Sequence, residues 1–447
     1  MKLAPLDAAA RLAGVRGRVL LHSGRDDDGL GRWSFATAEP SATLIARGRS
    51  LVLLDAAGRP ARRWTEDPFA AAEAFLGAHG CSLAASTEPP DPRVIGYLGY
   101  DLARVVEALP GGPQLGHDSP DLWLAAYGAV ARWSPAGELA IVGSDAAART
   151  RLEARLAQPA PPTLPPTIGP LVADDDGAHH MARVERIRDY LAAGDVYQVN
   201  LARRLVARIA TPGDPLAVYA ALCEVAPAPY GCLIEADGVT LISGSPERFL
   251  GLTGDRLETR PIKGTRPRIA GVDGAAELAD SAKDAAEHLM IVDLERNDLG
   301  RIAVTGSVAV DDLGYVVELP ALYHKVSRVS ATPRPGLGYA ELLRATFPGG
   351  SITGAPKVRA MQLIDELEPA RRGPYCGAFG YFGAGALELA IAIRIGVIAG
   401  HELRVHVGGG IVADSEPAAE LAETEVKAAG WVRALERLTA ASSNRAP

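Results

Sequence analysis

The chain has little of what marks several protein classes. Its four cysteines, Cys81, Cys223, Cys232 and Cys376, are scattered along 447 residues with no CxxC pair. Neither a zinc site nor a disulfide framework is expected. Aromatic residues make up only 5% of the chain, no basic run is interleaved with them, and the net charge is −8. A nucleic-acid surface is therefore not expected. No apolar run reaches the roughly 20 residues that cross a bilayer, so no membrane partner is expected either. The opening stretch is broken by Asp7 and Arg11 before it could form a signal-peptide core. These absences point to a reduced, cytoplasmic, soluble protein.

What is present is a 48% hydrophobic chain with 22% charged residues, an ordinary globular composition. The length allows about two to three domains or one elaborate one. Residues 1–157 carry strand-like runs from Arg18, Ala42, Ser50 and Val94. Residues 158–175 form a connection, proline-dense from Gln158 to Thr167, that can be neither helix nor central strand. Residues 176–440 form the main catalytic segment. There His179–Ala193 is read as a helix on Val184, Ile187 and Leu191, capped by Gly194. ValTyrGlnValAsnLeuAlaArgArgLeuVal from Val196 reads as a strand, and a strand pair flanks the turn at Ser245 and Pro246. From Leu387 to Ile398 one strand is expected, turned by AlaGlyHisGlu into ArgValHisVal. Many strands on short turns, with helices placed irregularly, give an α+β class with large antiparallel sheets.

Chemistry gathers in a few places. Lys263 stands between Ile262 and Gly264 in ThrArgProIleLysGlyThrArgProArg, Thr259 to Arg268. A solvated loop lysine is the bland reading; an ammonium reaching a reacting carbon or a carboxylate is the sharp one. A helix opened near Ser281 places Asp284 and Glu287 on one face. A second helix, from near Ser415 with Pro417 in its first turn, carries Glu416, Glu420, Glu423 and Lys427 in one stripe. Each stripe alone reads as a solvated face. Together two carboxylate helices could hold a hard cation such as Mg²⁺. Gly408, Gly409 and Gly410 would let backbone N–H groups approach an anion. The GlyGlySerIleThrGlyAlaProLys run from Gly349 lacks the GlyLys[Ser/Thr] ending of a phosphate loop.

These segments, in this order, resemble the chorismate-utilising enzymes, a family that includes anthranilate synthase component I, aminodeoxychorismate synthase component I and isochorismate synthase. The matching stretches are GlyAspValTyrGlnValAsnLeu from Gly194, SerGlySerProGluArgPhe from Ser243, the Lys263 segment, and GluHisLeuMetIleValAspLeuGluArgAsnAsp from Glu287. HisLysValSer from His324, GlySerIleThrGlyAlaProLys, and GlyGlyGlyIleValAlaAspSer through GluThrGluValLys complete them. The close likeness covers about residues 180–437. GlyTyrLeuGlyTyrAsp and SerProAspLeu extend it loosely toward the N-terminus.

The resemblance implies the family's fold: large antiparallel sheets packed as a sandwich with flanking helices, with both segments interlaced in one globule. Lys263 in ProIleLysGlyThr is similar to the aminodeoxychorismate synthases, whereas anthranilate synthases carry Ala there. Gln198 falls where the water-adding members hold a lysine base, and Gln cannot deprotonate water. The implied activity is replacement of the C4 hydroxyl of chorismate by ammonia. Glu247 matches the general acid, Lys263 the nucleophile adding at C2, and His324 a histidine beside the ring. Glu287 and Glu423 match Mg²⁺ ligands, with Asp284 and Glu420 as the carboxylates behind them. Tyr381, Arg394 and Gly408–Gly410 match the pocket for the enolpyruvyl carboxylate. Gly264, Thr265, Ser351 and Lys427 match further substrate contacts. Glu388 and Leu389 depart from the AspThr of many relatives.

No cysteine sits in a GlyXCysXGly elbow, so ammonia is expected from solution or from a partner glutamine amidotransferase subunit. LeuLeuHisSerGly from Leu20 resembles a tryptophan-binding segment of feedback-inhibited relatives, with His22 in place of Glu. Two alternatives stay open: an anthranilate synthase component I, and a non-catalytic chorismate-binding subunit.

Overall fold

The computed structural model describes residues 3–25, 28–84, 88–111, 115–269, 271–319 and 322–443. Among these, two antiparallel sheets of 12 strands each face one another. A core containing Val19, Leu201, Leu241, Tyr97, Phe379 and Leu389 joins them. Both sheets draw strands from either side of the proline-rich stretch. The first runs, in order of pairing, from Thr167–Ile168 through Gln198–Thr211, Glu402–Ile411, Ile395–Ala399, Val239–Ser245 and Tyr230–Ala236. It ends on the N-terminal strands Val19–His22, Ser34–Thr37, Val130–Trp133 and Leu139–Val142. The second places Ile262–Pro267, Leu322–Ala331, Arg256–Arg260, Arg248–Thr253, Ala386–Ile391 and Ala378–Gly383 beside Pro92–Leu98, Leu122–Ala126 and three further N-terminal strands. The outer face of the first sheet is covered by the helices Leu216–Val225 and Pro417–Ser443, with Trp431, Leu435 and Leu438 in a second core against Leu222 and Val405. The α+β sandwich is the architecture found.

Two expectations are corrected, and both corrections concern the same place. The strands before and after Ser245–Pro246 do not pair with each other. Val239–Ser245 belongs to the first sheet and Arg248–Thr253 to the second. Likewise the run from Leu387 is two strands, Ala386–Ile391 and Ile395–Ala399, split between the sheets. Arg394 takes a left-handed φ of 48° at that break, and Pro246 cannot donate a ladder bond. The chain thus crosses between sheets twice, side by side. Val239–Ser245 pairs with Ile395–Ala399 in one sheet, and Arg248–Thr253 with Ala386–Ile391 in the other. Such crossings leave backbone and side chains at the seam free of regular pairing.

The helices open where capping chemistry predicts. The Ser281 hydroxyl accepts from Asp284 N–H to start Ala282–Gly300. Asp176 caps Gly177–Ala192, which ends ahead of Gly194 at φ +81°.

Candidate active site

Glu247 sits in the first of the two crossings, and burial pushes its carboxyl above the usual glutamate range. The Ser351 hydroxyl, Lys263, the Ile262 amide and Arg394 pull the other way. The Ser351 geometry falls short of a full hydrogen bond. Glu247 Oε1 and Ser351 Oγ are therefore both buried without a protein partner. The amide of Gln198, fully buried against Gly410, also has both polar atoms unpartnered. Natural interiors rarely leave such groups unpaired. Three of them on the walls of one site fit a polar ligand.

Lys263 lies on Ile262–Pro267 and its Nζ donates to the Ser351 carbonyl at 3.3 Å. Burial lowers its pKa, opposed first by Glu247, reinforced by Lys427, and opposed again by Glu287 and Glu423. A neutral amine is thus more accessible here than on a free lysine. Gly264 follows at φ +80°, and a Cβ there would meet Leu278 at 2.8 Å and Asp284 at 3.1 Å. Any other residue would be strained and crowded. Thr265 pairs across the sheet with His324, and their side chains meet at 2.9 Å between Oγ1 and Nδ1. Burial, then Arg394 and Arg25, push His324 down to about 4. It is a neutral imidazole at physiological pH.

Two helices bring the carboxylates. Glu287 lies 4.0 Å from Lys283, and burial raises its pKa, with Asp284 and Glu423 adding to the rise against Lys283 and Lys263. Asp284 is held by Arg266 at 2.6 Å. From the C-terminal helix, Glu423 pairs with Lys427 at 2.6 Å, and Glu420 accepts from Ser415 Oγ at 2.6 Å. Burial raises Glu420, and Glu423 adds to this against the Ser415 bond. Both carboxylates lie over Gly409, where a Cβ would stand 3.2 Å from Glu420 Oε2 and 3.3 Å from Glu423 Oε1. Gly409 is the cradle that lets them approach the strand. Gly408–Gly410 pair with Leu201, Ala202 and Asn200 along one edge. Pairing with the neighbour Ile395–Ala399 stops at Val405, so among the described residues no strand pairs with the other edge of the glycines.

A small set of glutamates that repel one another beside lysines fits a hard divalent cation that keeps water or substrate as its remaining ligands. Among the described residues, the His/Asp group whose ligand atoms lie close enough to share an ion is elsewhere, at Asp101, His117 and Asp121. There Asp101 Oδ2 already accepts from His117 at 2.9 Å and from Gly373 N–H at 2.8 Å. Asp121 Oδ2 accepts from Gly48 N–H at 2.6 Å. That group is a hydrogen-bonded clasp.

Tyr381 is a correction. It lines a second cavity with His22, Trp33, Phe35, Tyr230 and Glu388, and its ring meets Phe35 edge-on at 4.9 Å. Strand alternation sends it away from Glu247. Nearer the glycine strand is Tyr375, stacked on His406 at 5.3 Å. Glu388 belongs to the second cavity too, accepting from Arg248 at 2.7 Å and Tyr230 at 2.8 Å, while Leu389 is fully buried. Glu388 therefore points into the second cavity, and Leu389 faces the other side of its strand. Missed in the sequence were Glu295, buried behind the site, and the Arg372–Glu368 pair, bonded at 2.7 Å. Glu295 could have been found at two helical turns' distance from Glu287 on the same helix.

The remaining residues, Glu247, Lys263, Gly264, Thr265, Glu287, His324, Ser351, Arg394, Gly408–Gly410, Glu423 and Lys427, converge on the sheet crossing. Comparison with known proteins bears on the family of the chain. A model of the chorismate binding enzymes matches residues 26–433. The chain is 40% identical over 416 residues to aminodeoxychorismate synthase component 1 of Klebsiella aerogenes, covering 91% of each. It is 39% identical over 370 residues to anthranilate synthase component 1 1 of Haloarcula marismortui, covering 76% of this chain and 75% of that one. The crystal structure of anthranilate synthase component I from Streptococcus pneumoniae superposes with a TM-score of 0.78 at 29% identity, over 90% of this chain and 92% of that one. The chain belongs to the chorismate-binding enzyme family.

Proposed function

We propose that this chain is the chorismate-aminating component of an aminodeoxychorismate synthase. It converts chorismate and ammonia to 4-amino-4-deoxychorismate for the p-aminobenzoate branch of folate synthesis. The observation that carries the reading is Lys263 placed beside Glu247 with its pKa lowered while that of Glu247 is raised. In the reacting form Glu247 carries a proton, made easier to hold by burial, and gives it to the departing C4 hydroxyl, which leaves as water. The neutral Lys263 amine adds at C2 as the ring double bonds shift and the C4–O bond breaks. Ammonia then adds at C4, the double bonds shift back, and the C2–N bond to Lys263 breaks. His324, neutral and bonded to Thr265, lies against the ring. Arg394 and the open edge of Gly408–Gly410 receive the enolpyruvyl carboxylate.

Glu287 and Glu423 would hold Mg²⁺, with Asp284 and Glu420 behind them, and a bound Mg²⁺ would neutralise the ring carboxylate. Ammonia comes from a glutamine amidotransferase partner, the role that the name "component 1" of the relatives leaves to a second component. A cytoplasmic setting suits this chemistry; among the described residues no helix is long and apolar enough to cross a membrane. The likeness to anthranilate synthases keeps amination at C2 as the second reading. Incubation with chorismate, ammonium and Mg²⁺, followed by an added aminodeoxychorismate lyase, tests the proposal. Formation of p-aminobenzoate supports it, and fluorescent anthranilate without lyase overturns it.

A further inference from the structure

The turn that receives Lys263 is itself held from behind. Gly350–Ile352 is a single 3-10 turn. Its Ser351 carbonyl accepts from Lys263, and its Ser351 hydroxyl faces the Glu247 carboxyl. On the far side of this turn lies Glu295, buried on the Ala282–Gly300 helix, whose Oε1 accepts from Gly350 N–H at 3.0 Å. One helical turn on, Asp298 takes Lys357 as its own partner. From the opposite flank Arg372 donates to the Ile352 carbonyl at 3.0 Å. The turn is pinned at its amide by Glu295 and at its carbonyl by Arg372.

A carboxyl at this position is costly. Burial, then Asp298, push its pKa up to about 7, against Lys357 and the Gly350 amide. An apolar residue of similar size would escape that cost but would leave the buried Gly350 N–H without an acceptor. General packing therefore does not explain the acid. A fixed acceptor for one particular amide does: Gly350 has no side chain of its own to lock the turn, and a Cβ there would clash with Leu294 at 2.6 Å.

We propose that Glu295 is a positioning residue, fixing the Gly350–Ile352 turn through the Gly350 amide and thereby setting where the Lys263 amine and the Ser351 hydroxyl stand. The inference rests on the reading of Lys263 as a reacting group. Small displacements of a reacting group, on the order of 1 Å, can cost about a hundredfold in rate.

The test uses the full chain with Glu295→Gln, which keeps an acceptor oxygen, and Glu295→Leu, which fills the space without one. Four quantities are compared with wild type: kcat and KM for ammonia-dependent chorismate turnover, the melting midpoint, and the rate at which acetic anhydride acetylates Lys263, located by peptide mass spectrometry. The expected result is a kcat for Glu295→Leu at least about tenfold lower, with KM little changed, an altered Lys263 acetylation rate and a midpoint lowered only modestly, by the unpaired Gly350 N–H. Glu295→Gln should restore both kcat and the acetylation rate. Wild-type kcat and acetylation in Glu295→Leu would overturn the proposal. Equal loss in both variants with a shared fall in midpoint would overturn it too, by showing a packing role alone. If wild type yields another product, the reading of the reaction fails, while the acetylation comparison still decides the role of Glu295.

Discussion

The Lys427 ammonium stands 2.6 Å from Glu423 Oε1 and, at the same distance, donates to the Gly408 carbonyl. One lysine thereby ties the carboxylate stripe of the C-terminal helix to the glycine strand. A cation binding Glu423 must take its other oxygen, share this one or displace the lysine. Glu287→Gln and Glu423→Gln each remove a charged oxygen from a site with few protein ligands. Each is expected to weaken Mg²⁺ binding at least about tenfold, the lower end of what even partners behind the ligands contribute. Calorimetric Mg²⁺ titration with chorismate present measures this. Undiminished turnover in excess chelator would show the two stripes to be solvated faces.

Burial holds Glu247 above the ordinary glutamate range and Lys263 below the ordinary lysine range. Reaction needs Glu247 protonated and Lys263 neutral. That form tracks, through a single proton exchange, the state with Glu247 ionised and Lys263 charged. Activity at constant free ammonia should therefore rise as pH passes the raised pKa of the glutamate and fall past the lowered pKa of the lysine. Both limbs belong to the coupled pair. The measurement is kcat/KM against pH. Limbs at the values of free glutamate and free lysine would contradict the electrostatics described.

Arg372 and Glu368 form a buried pair whose hydrogen bonds extend to the Ile352 and Asn200 carbonyls and the Ala202 amide. Glu368→Leu leaves the guanidinium buried without its partner, a loss of about 3–5 kcal/mol. A marked drop in the urea midpoint is expected, and an unchanged midpoint would show that the pair is replaceable.

Much of this was legible in the sequence because the relevant patterns are local. Ser281 and Pro417 mark helix starts, the carboxylates at Asp284, Glu287, Glu420 and Glu423 follow helical spacing, and the segments around Glu247 and Lys263 carry family motifs. The fold class followed from short turns between strands. The sheet crossings were not legible, because apolar alternation from Leu387 to Ile398 is the same whether one sheet or two receives it. Only the left-handed backbone at Arg394 breaks the run. Tyr381 was misplaced for a related reason: which face of a strand meets which cavity depends on the register with Pro92–Leu98 and Ala386–Ile391. Glu295 was overlooked because its partner is a backbone amide 55 residues away.

The second cavity carries the remaining prediction. His22 Nδ1 meets the Tyr219 hydroxyl at 3.0 Å, and burial pushes the imidazole down to about 4, so it is uncharged at neutral pH. The cavity also holds Glu388, but that carboxylate is taken by Arg248 and Tyr230. A free acceptor for the ammonium of an amino acid is lacking at His22. Tryptophan at micromolar levels is therefore expected not to inhibit the ammonia-dependent reaction. Clear inhibition in a titration would contradict this account of the cavity.

The central claim is that Lys263 directs amination of chorismate to C4. Chromatographic product analysis of wild type and Lys263→Ala, each with chorismate, ammonium and Mg²⁺, tests it most directly. The account predicts 4-amino-4-deoxychorismate from wild type, and a loss of that product in the variant, with anthranilate among what remains. Anthranilate as the wild-type product, or an unchanged yield of 4-amino-4-deoxychorismate from Lys263→Ala, would contradict it.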